Sequence, residues 1–174
     1  MPIARTKMTI YDEVYDLDAF QKFNMINYQG PHPEKLYAKI RELAARIFMV
    51  PEHYFQEYDY NWGRNEGSEK FKVSWFLTMN FDTHTFIRVE VDFSGKSKEG
   101  YGNAKIKIYP NFQTQYPQDT MWQQSMIYNI LLVLWHRVFY ASVRDKYLRE
   151  ARNLMDKFMD EIKKYSEELK INGT

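Results

Sequence analysis

The sequence predicts an α+β fold, in which an antiparallel sheet of about five strands packs against an N-terminal helix and a long C-terminal helical segment. Two patterns predict it. Between residues 54 and 108, apolar and polar side chains alternate in runs separated by short polar turns. From residue 121 to about residue 170 there is no proline or glycine, and apolar residues recur at helical spacing. We expect one domain over 1–174, with 143–170 as a projecting or folded-back helical extension.

The N-terminal part is predicted to hold one strand and one helix. Residues 7–15 mix β-branched, aromatic and charged side chains in partial alternation, which is typical of an edge strand. Residues 16–30 show no clear period. Pro33 suits the first turn of a helix, and Pro51 marks its end. The face that this helix would bury is Leu36, Ile40, Leu43 and Ile47.

The central part is predicted to be an antiparallel meander with one buried face, because its connections are short. The first strand places four aromatic residues on one side: Tyr54, Tyr58, Tyr60 and Trp62. The next two are predicted to form a hairpin over 70–94, whose core-facing residues are Phe71, Val73, Trp75, Leu77, Ile87, Val89 and Val91. The last strand directs three apolar residues inward: Ala104, Ile106 and Ile108.

The C-terminal segment carries two apolar stripes. Thr120 and Gln123 form a capping-box pattern, which predicts a helix from Met121. The first stripe is Ile127, Leu131, Leu134 and Val138. The second is rotated by about a third of a turn, so the two halves are expected to have different partners; it consists of Leu148, Ala151, Met155, Phe158, Ile162, Tyr165 and Leu169.

The second stripe has the alternating three- and four-residue steps of a heptad seam. It can dock a partner helix or a second copy, making a homo-oligomer, through Leu148, Met155, Phe158, Ile162 and Leu169. It can instead pack on the 34–48 helix of its own chain. Leu154 and Met159 widen the stripe and favour this second alternative, in which the segment turns back near Ala141–Ser142.

Composition excludes several classes of protein. Lys and Arg total 24 against 23 Asp and Glu, without a strongly basic block, so no nucleic-acid partner is expected. Lysines 70, 72, 105 and 107 are expected to be diluted by Glu90 and Asp92 on the strand between them. No cysteine is present, and the four histidines lack metal-ligand spacing, so we expect no cofactor and no metal.

The sequence also bears on location. The first residues lack the apolar stretch of a secretory signal, which favours a cytoplasmic protein. The most apolar run, Ile130–Trp135, is much shorter than the ~20 residues that cross a bilayer, so we expect no membrane span.

The element order over about residues 7–140 resembles the helix-grip family of START and Bet v1-like domains. The resemblance implies a sheet that wraps a long C-terminal helix around an apolar cavity. The sequence is also similar to small uncharacterised archaeal proteins, which imply no function.

Two functions follow from these patterns. The first is a non-catalytic module that binds a small apolar or amphipathic ligand between sheet and helix, because aromatic residues reach 17%. Its candidate ligand-binding residues are Tyr58, Tyr60, Trp62, Trp75, His136, Arg137, Tyr140 and Arg144. Beside His136, a helical ribbon of Arg137, Tyr140, Arg144 and Tyr147 can bind an anionic or polar head group, or can simply lie at the edge of the core. The second function is assembly through the 148–169 seam. No catalytic motif is present, so an enzyme is the weaker hypothesis.

Overall fold

The computed structural model describes residues 6–14, 23–65 and 67–172, and the α+β prediction is confirmed. The strands are β1 Thr6–Glu13, β2 Asn24–Pro31, β3 Gln56–Asn65, β4 Ser68–Asn80, β5 Thr85–Lys98 and β6 Tyr101–Gln118. The helices are α1 Lys35–Phe48, α2 Met126–Trp135 and α3 Ala141–Asn172, with a 3-10 turn at Glu52–Tyr54 and a π-helical turn at His136–Tyr140.

The six strands form one antiparallel sheet in the order β1-β6-β5-β4-β3. Strand β6 has 18 residues and is long enough to hold two partners end to end on one edge. Strand β2 pairs with residues 101–108 of β6, and β1 pairs with residues 111–118. Both N-terminal strands are therefore edge strands beside the C-terminal strand of the sheet.

Strand β2 was not predicted, which is why about five strands were expected and six are found in the described part of the chain. Its inward positions are Ile26, Tyr28 and Gly30, and its outward positions include Asn27 and Gln29. Only two large apolar residues alternate before the chain turns, and Asn and Gly have low strand propensity. The strand is held by its neighbour β6 rather than by a local signal.

The predicted hairpin is confirmed as β4 and β5. All seven residues predicted to face the core are at most 3% exposed, and the register pairs Trp75 with Val91 and Val73 with Phe93. We call this face of the sheet the inner face. Helices α1 and α3 belong to the same core, and the rings of Phe48 and Phe158 meet at 5.5 Å.

The prediction for β3 is wrong at its N-terminal end. A β-bulge between Glu57 and Asp59 leaves Tyr58 without a partner residue on β4, so the phase of the alternation changes there. Tyr58 lies against Phe76, their ring centroids 6.3 Å apart, on the outer face. Phe55, predicted to face the polar side with Glu57 and Asp59, is buried and stacks on Trp75 at 5.0 Å. Tyr54 lies in the 3-10 turn and is exposed.

The C-terminal helix begins later than predicted and has no turn at Ala141–Ser142. Thr120 and Gln123 exchange the capping-box hydrogen bonds, at 3.0 and 3.2 Å, but they close only an isolated turn. Ser125 caps the helix instead, its Oγ accepting the N–H of Tyr128 at 3.2 Å. From Met126 to Asn172 the chain stays helical through the π-helical turn. A turn back is therefore not required for packing within the chain.

Candidate interaction site

The heptad seam is covered by its own chain. Met155, Phe158 and Ile162 are at most 1% exposed, Leu169 is 9% exposed, and all four belong to the core that contains α1. Leu148 is partly buried against the same core. The residues predicted for partner binding therefore lie where the cis alternative places them.

The other half of the helix has the opposite environment. From the end of β6 through the π-helical turn, eleven large apolar side chains are between 42% and 91% exposed, whereas Leu132 is buried. We call this set the apolar helix surface: Met121, Trp122, Met126, Ile127, Ile130, Leu131, Val133, Leu134, Trp135, Val138 and Phe139. Monomeric proteins rarely expose so many adjacent apolar side chains, so this surface is a candidate interaction site.

The apolar helix surface contains a groove. A recess of about 500 Å³ is lined by Met126, Asn129, Ile130 and Val133, together with Gln124 and Leu134. The first four stand at positions i, i+3, i+4 and i+7 of α2. Four residues at this spacing form the hole that receives one side chain of a facing helix.

The charge of this region is nearly zero. No Asp or Glu lies between Asp119 and Asp145, and Arg137 is the only Lys or Arg in that interval apart from Arg144. Arg137 is exposed, whereas Arg144 is buried. A partner therefore meets an apolar surface with a single exposed guanidinium group.

A polar cluster holds the helix to the end of the sheet. Tyr140 donates a 2.6 Å hydrogen bond to Asp82 and also contacts the Thr85 hydroxyl. Asp82 accepts the N–H groups of His84 and Thr85, each at 2.7 Å. Burial works to raise the pKa of Asp82, but these three hydrogen bonds outweigh it and lower the pKa. Burial, followed by the bond to Asp82, raises the pKa of Tyr140.

Two further contacts continue this cluster. Arg144 donates from Nε to the Thr114 hydroxyl at 2.9 Å, and its guanidinium lies 5.5 Å from the Phe112 ring centre. The Tyr116 hydroxyl is hydrogen-bonded to His136 Nδ1 at 2.8 Å, and burial raises the pKa of Tyr116 to about 12. His136, Tyr140 and Arg144 therefore direct their polar atoms into the sheet.

The predicted ligand site is divided between two places. Tyr58 and Tyr60 are about 60% exposed on β3, whereas His136, Tyr140 and Arg144 contact β5, β6 and the β4–β5 connection. Strands β3 and β6 are separated by β4 and β5. Trp62 is half-buried at the β3 edge, Trp75 is fully buried, and Arg137 is exposed.

Sequence reasoning missed the residues from the sheet that receive the helix, Asp82, Thr85, Thr114 and Tyr116. One signal was present: Asp82 precedes His84 and Thr85 in a tight connection, the position from which an Asp side chain accepts backbone N–H groups two and three residues on. Among the described residues, no group of three or more His, Asp or Glu side chains is placed to hold a metal ion.

One helix in the described part of the chain, Met126–Ile171, is long and apolar enough to be a candidate membrane span. Its best 18-residue window has a mean hydropathy of 1.3, and 6% of that window is buried. A candidate span was not predicted from the sequence, because only the run Ile130–Trp135 was considered. His136 and Arg137 end that run, but apolar residues resume after them. Length and composition alone make this weak evidence for a span.

Comparison with known proteins gives no family. No family model matches the chain, and no curated protein matches it. A solved structure of a protein of unknown function from Staphylococcus aureus is similar at 8% identity and a TM-score of 0.31, with 95% of this chain and 96% of that chain covered. A similarity at this level carries no argument about function.

Proposed function

We propose that this chain is a non-catalytic assembly protein whose apolar helix surface packs against the same surface of a second copy. The observation that carries the proposal is the exposure of the apolar side chains of α2 and the π-helical turn, from Met126 at 78% to Phe139 at 66%. The proposal keeps assembly through the C-terminal helix but uses residues 121–139 in place of the 148–169 seam.

The size of the apolar helix surface supports a protein partner. Large apolar and aromatic side chains offer roughly 150–250 Å² each when fully exposed. Eleven of them, each about half exposed, offer on the order of 1,000 Å². A standard interface buries about 800 Å² on each partner.

The amino-acid composition of the apolar helix surface also supports a protein partner. Protein interfaces are enriched in aromatic residues, Met and Arg and depleted in Lys, Asp and Glu. Trp122, Trp135, Met126 and Arg137 match that composition, and the residues between Asp119 and Asp145 include no Lys. Helices that bind lipid surfaces usually carry several Lys or Arg beside the apolar face. A second copy also supplies the exposed apolar side chains of its own α2, which are of the type that enters such a groove.

The test is the mass of the full chain in solution, by light scattering and sedimentation. We expect a dimer that the double substitution Ile130→Glu, Val133→Glu converts to a folded monomer. Met25→Glu is the matched control, because Met25 is 46% exposed on β2, outside the apolar helix surface. A wild-type monomer at about 100 μM, well above typical dimer dissociation constants, contradicts the proposal. Flotation with phosphatidylcholine vesicles that the double variant abolishes points to lipid as the partner instead.

The ligand hypothesis stays a proposal, supported by the resemblance to helix-grip domains. A sheet with a long C-terminal helix is compatible with that family, and Trp75 Nε1 is a buried donor without a hydrogen-bond partner among the described residues. Against it, Trp75, Phe93 and Phe158 fill the space between sheet and helix. Native mass spectrometry tests it through a retained small molecule. A cytoplasmic location and the absence of a span likewise stay predictions.

A further inference from the structure

The outer face of the sheet carries a second feature, far from the apolar helix surface. A recess of about 530 Å³ opens where β3, β4, β5 and β6 lie side by side. Its lining includes three lysines, Lys70, Lys72 and Lys96, with Ser94 and Gly63 between them. The apolar helix surface lies at the opposite end of these strands, where Thr85 and Thr114 pair.

The strand register explains why the lysines converge. One row of residues across the four strands is Gly63, Lys70, Lys96 and Asn103. The adjacent outer-face row is Asn61, Lys72, Ser94 and Lys105. Gly63 and Ser94 are the small members of these rows, and they leave the space that the longer side chains border. With strands about 4.8 Å apart, the two rows cover roughly 14 Å by 7 Å.

The rows contain four cations and no carboxylate. Lys70 and Lys96 stand directly opposite each other, and like charges in that position destabilise a sheet. Neither forms an ion pair with another described residue. The dilution expected from Asp92 reaches Lys72, whose pKa is raised mainly by its bond to Asp59 and also by the charge of Asp92. It is weaker for Lys70 and Lys96, because β5 contributes Lys96 to their row and places Asp92 two rows away.

The nearest carboxylates are already engaged. Asp59 pairs with Lys72 at 2.6 Å, and Asp92 accepts the Ser74 hydroxyl at 2.7 Å. The recess thus combines two ammonium groups without a described counter-ion, a third shared with Asp59, and the Ser94 hydroxyl. Ammonium groups bind phosphoryl oxygens as point charges, and hydroxyl and amide groups supply further donors.

We propose that this recess binds a small ligand bearing a phosphoryl group with at least two negative charges. The recess is larger than one phosphate. Phe71 is its aromatic lining residue, and the Phe71 ring is buried against Phe93 on the inner face, so it offers no free ring face for a base to stack on. Glu90 and Asp92 border the rows on the side of the apolar helix surface, so the basic patch is too short to track a nucleic-acid backbone.

Substitutions at Gly63 test whether the recess binds an anion. A Cβ added there meets no atom within 4 Å, so a side chain fits without displacing a lysine. Gly63→Glu places a carboxylate among the lysines as an internal competitor, and Gly63→Gln is the matched neutral control. The probe is inorganic pyrophosphate, titrated into the full chain by calorimetry at low ionic strength.

We expect the wild type and Gly63→Gln to bind pyrophosphate, and Gly63→Glu and the Lys70→Gln, Lys96→Gln variant to lose at least tenfold in affinity. Gly63→Glu should also melt at a higher temperature than Gly63→Gln, because it relieves the repulsion between lysines. Vesicles with phosphatidic acid that bind wild type and not Gly63→Glu identify a lipid headgroup as the source of the phosphoryl group. Binding to pyrophosphate alone identifies a soluble ligand.

Equal binding by Gly63→Glu and Gly63→Gln, or no binding by the wild type, overturns the proposal. So does tight binding of a single-stranded oligonucleotide that Gly63→Glu leaves unchanged. The Ile130→Glu, Val133→Glu variant should bind pyrophosphate like the wild type, so failure of the dimer proposal leaves this result intact.

Discussion

The two halves of the C-terminal helix differ in a way that their hydrophobicity alone does not suggest. The more apolar half, α2, is exposed, whereas the charged and amphipathic half, α3, is packed in the core. An amphipathic stripe matches one sheet face and one neighbouring helix, and α3 finds both in its own chain. Helix α2 is apolar around most of its circumference, so one contact with the end of β6 leaves most of it uncovered. Excess hydrophobicity therefore marks the half that is available to a partner.

The π-helical turn that joins α2 to α3 accounts for this difference in burial. A π-helical turn holds one extra residue, which rotates the following helix by about 100° relative to an uninterrupted α-helix. His136, Tyr140 and Arg144, at steps of four, contact the sheet through this turn, and Leu132, four residues earlier, is also buried. The change of face between the two stripes is thus made without a break in the chain.

The largest expected difference in unfolding free energy comes from placing one carboxylate in each half of the helix and comparing the two variants. Ile162→Asp puts a carboxylate in a site that is 1% exposed, and we expect it to cost about 4 kcal/mol or more of unfolding free energy. Ile130→Asp, at 50% exposure, should change the unfolding free energy of the monomer by less than about 0.5 kcal/mol. Urea denaturation at low protein concentration measures both. Equal losses would mean that α2 is covered within its own chain.

Removing one phenylalanine ring from each half of the helix compares the two halves by the same substitution. Phe158→Ala removes a ring that is fully buried and should cost about 3–5 kcal/mol. Phe139→Ala removes a ring that is 66% exposed and should leave monomer stability nearly unchanged. If Phe139 is an interface anchor, its loss weakens the dimer by about 1–2 kcal/mol, or roughly five- to thirtyfold in dissociation constant. Sedimentation at several concentrations reads this out, and an unchanged dimer would place the interface elsewhere.

The same contrast shows what the sequence could predict. The α3 stripe, the α1 face and the β4–β5 hairpin follow from regular periods, and each was predicted because one face of the element is buried. The bulge at Tyr58 and the strand β2 were not, since both depend on pairing with a neighbouring strand. The exposure of α2 was not predicted either, because this part of the helix was expected to face the sheet across a bound ligand. The lysine recess required knowing which residues of β3 and β5 stand opposite Lys70.

Tyr140→Phe tests how α2 is held. The substitution removes the hydroxyl that donates to Asp82 and leaves that carboxylate with one partner fewer, a loss of about 1–3 kcal/mol. We expect hydrogen exchange to accelerate in α2 and around the π-helical turn, while amides in the middle of α3 stay protected. The control is Tyr165→Phe, on the same continuous helix and far from this cluster, where its ring lies near Lys39. Uniform acceleration along the whole helix would show that the halves are not separately anchored.

The smallest expected effect is on pH dependence, and it isolates the anchor from the rest of the fold. Asp82 has a lowered pKa in the folded chain because Tyr140 and the N–H groups of His84 and Thr85 donate to its carboxylate. The stability that it contributes is therefore fully present above its unfolded pKa of about 3.9 and is lost as the pH falls through the lower folded value. Asp82→Asn has no carboxyl group at this position, so its stability does not change through protonation of residue 82. Melting temperatures of the two proteins should differ at pH 6 and converge as the pH falls below about 4. A difference in melting temperature that stays constant down to pH 2.5 would mean that the shape of the Asp82 side chain, and not its charge, supports the π-helical turn.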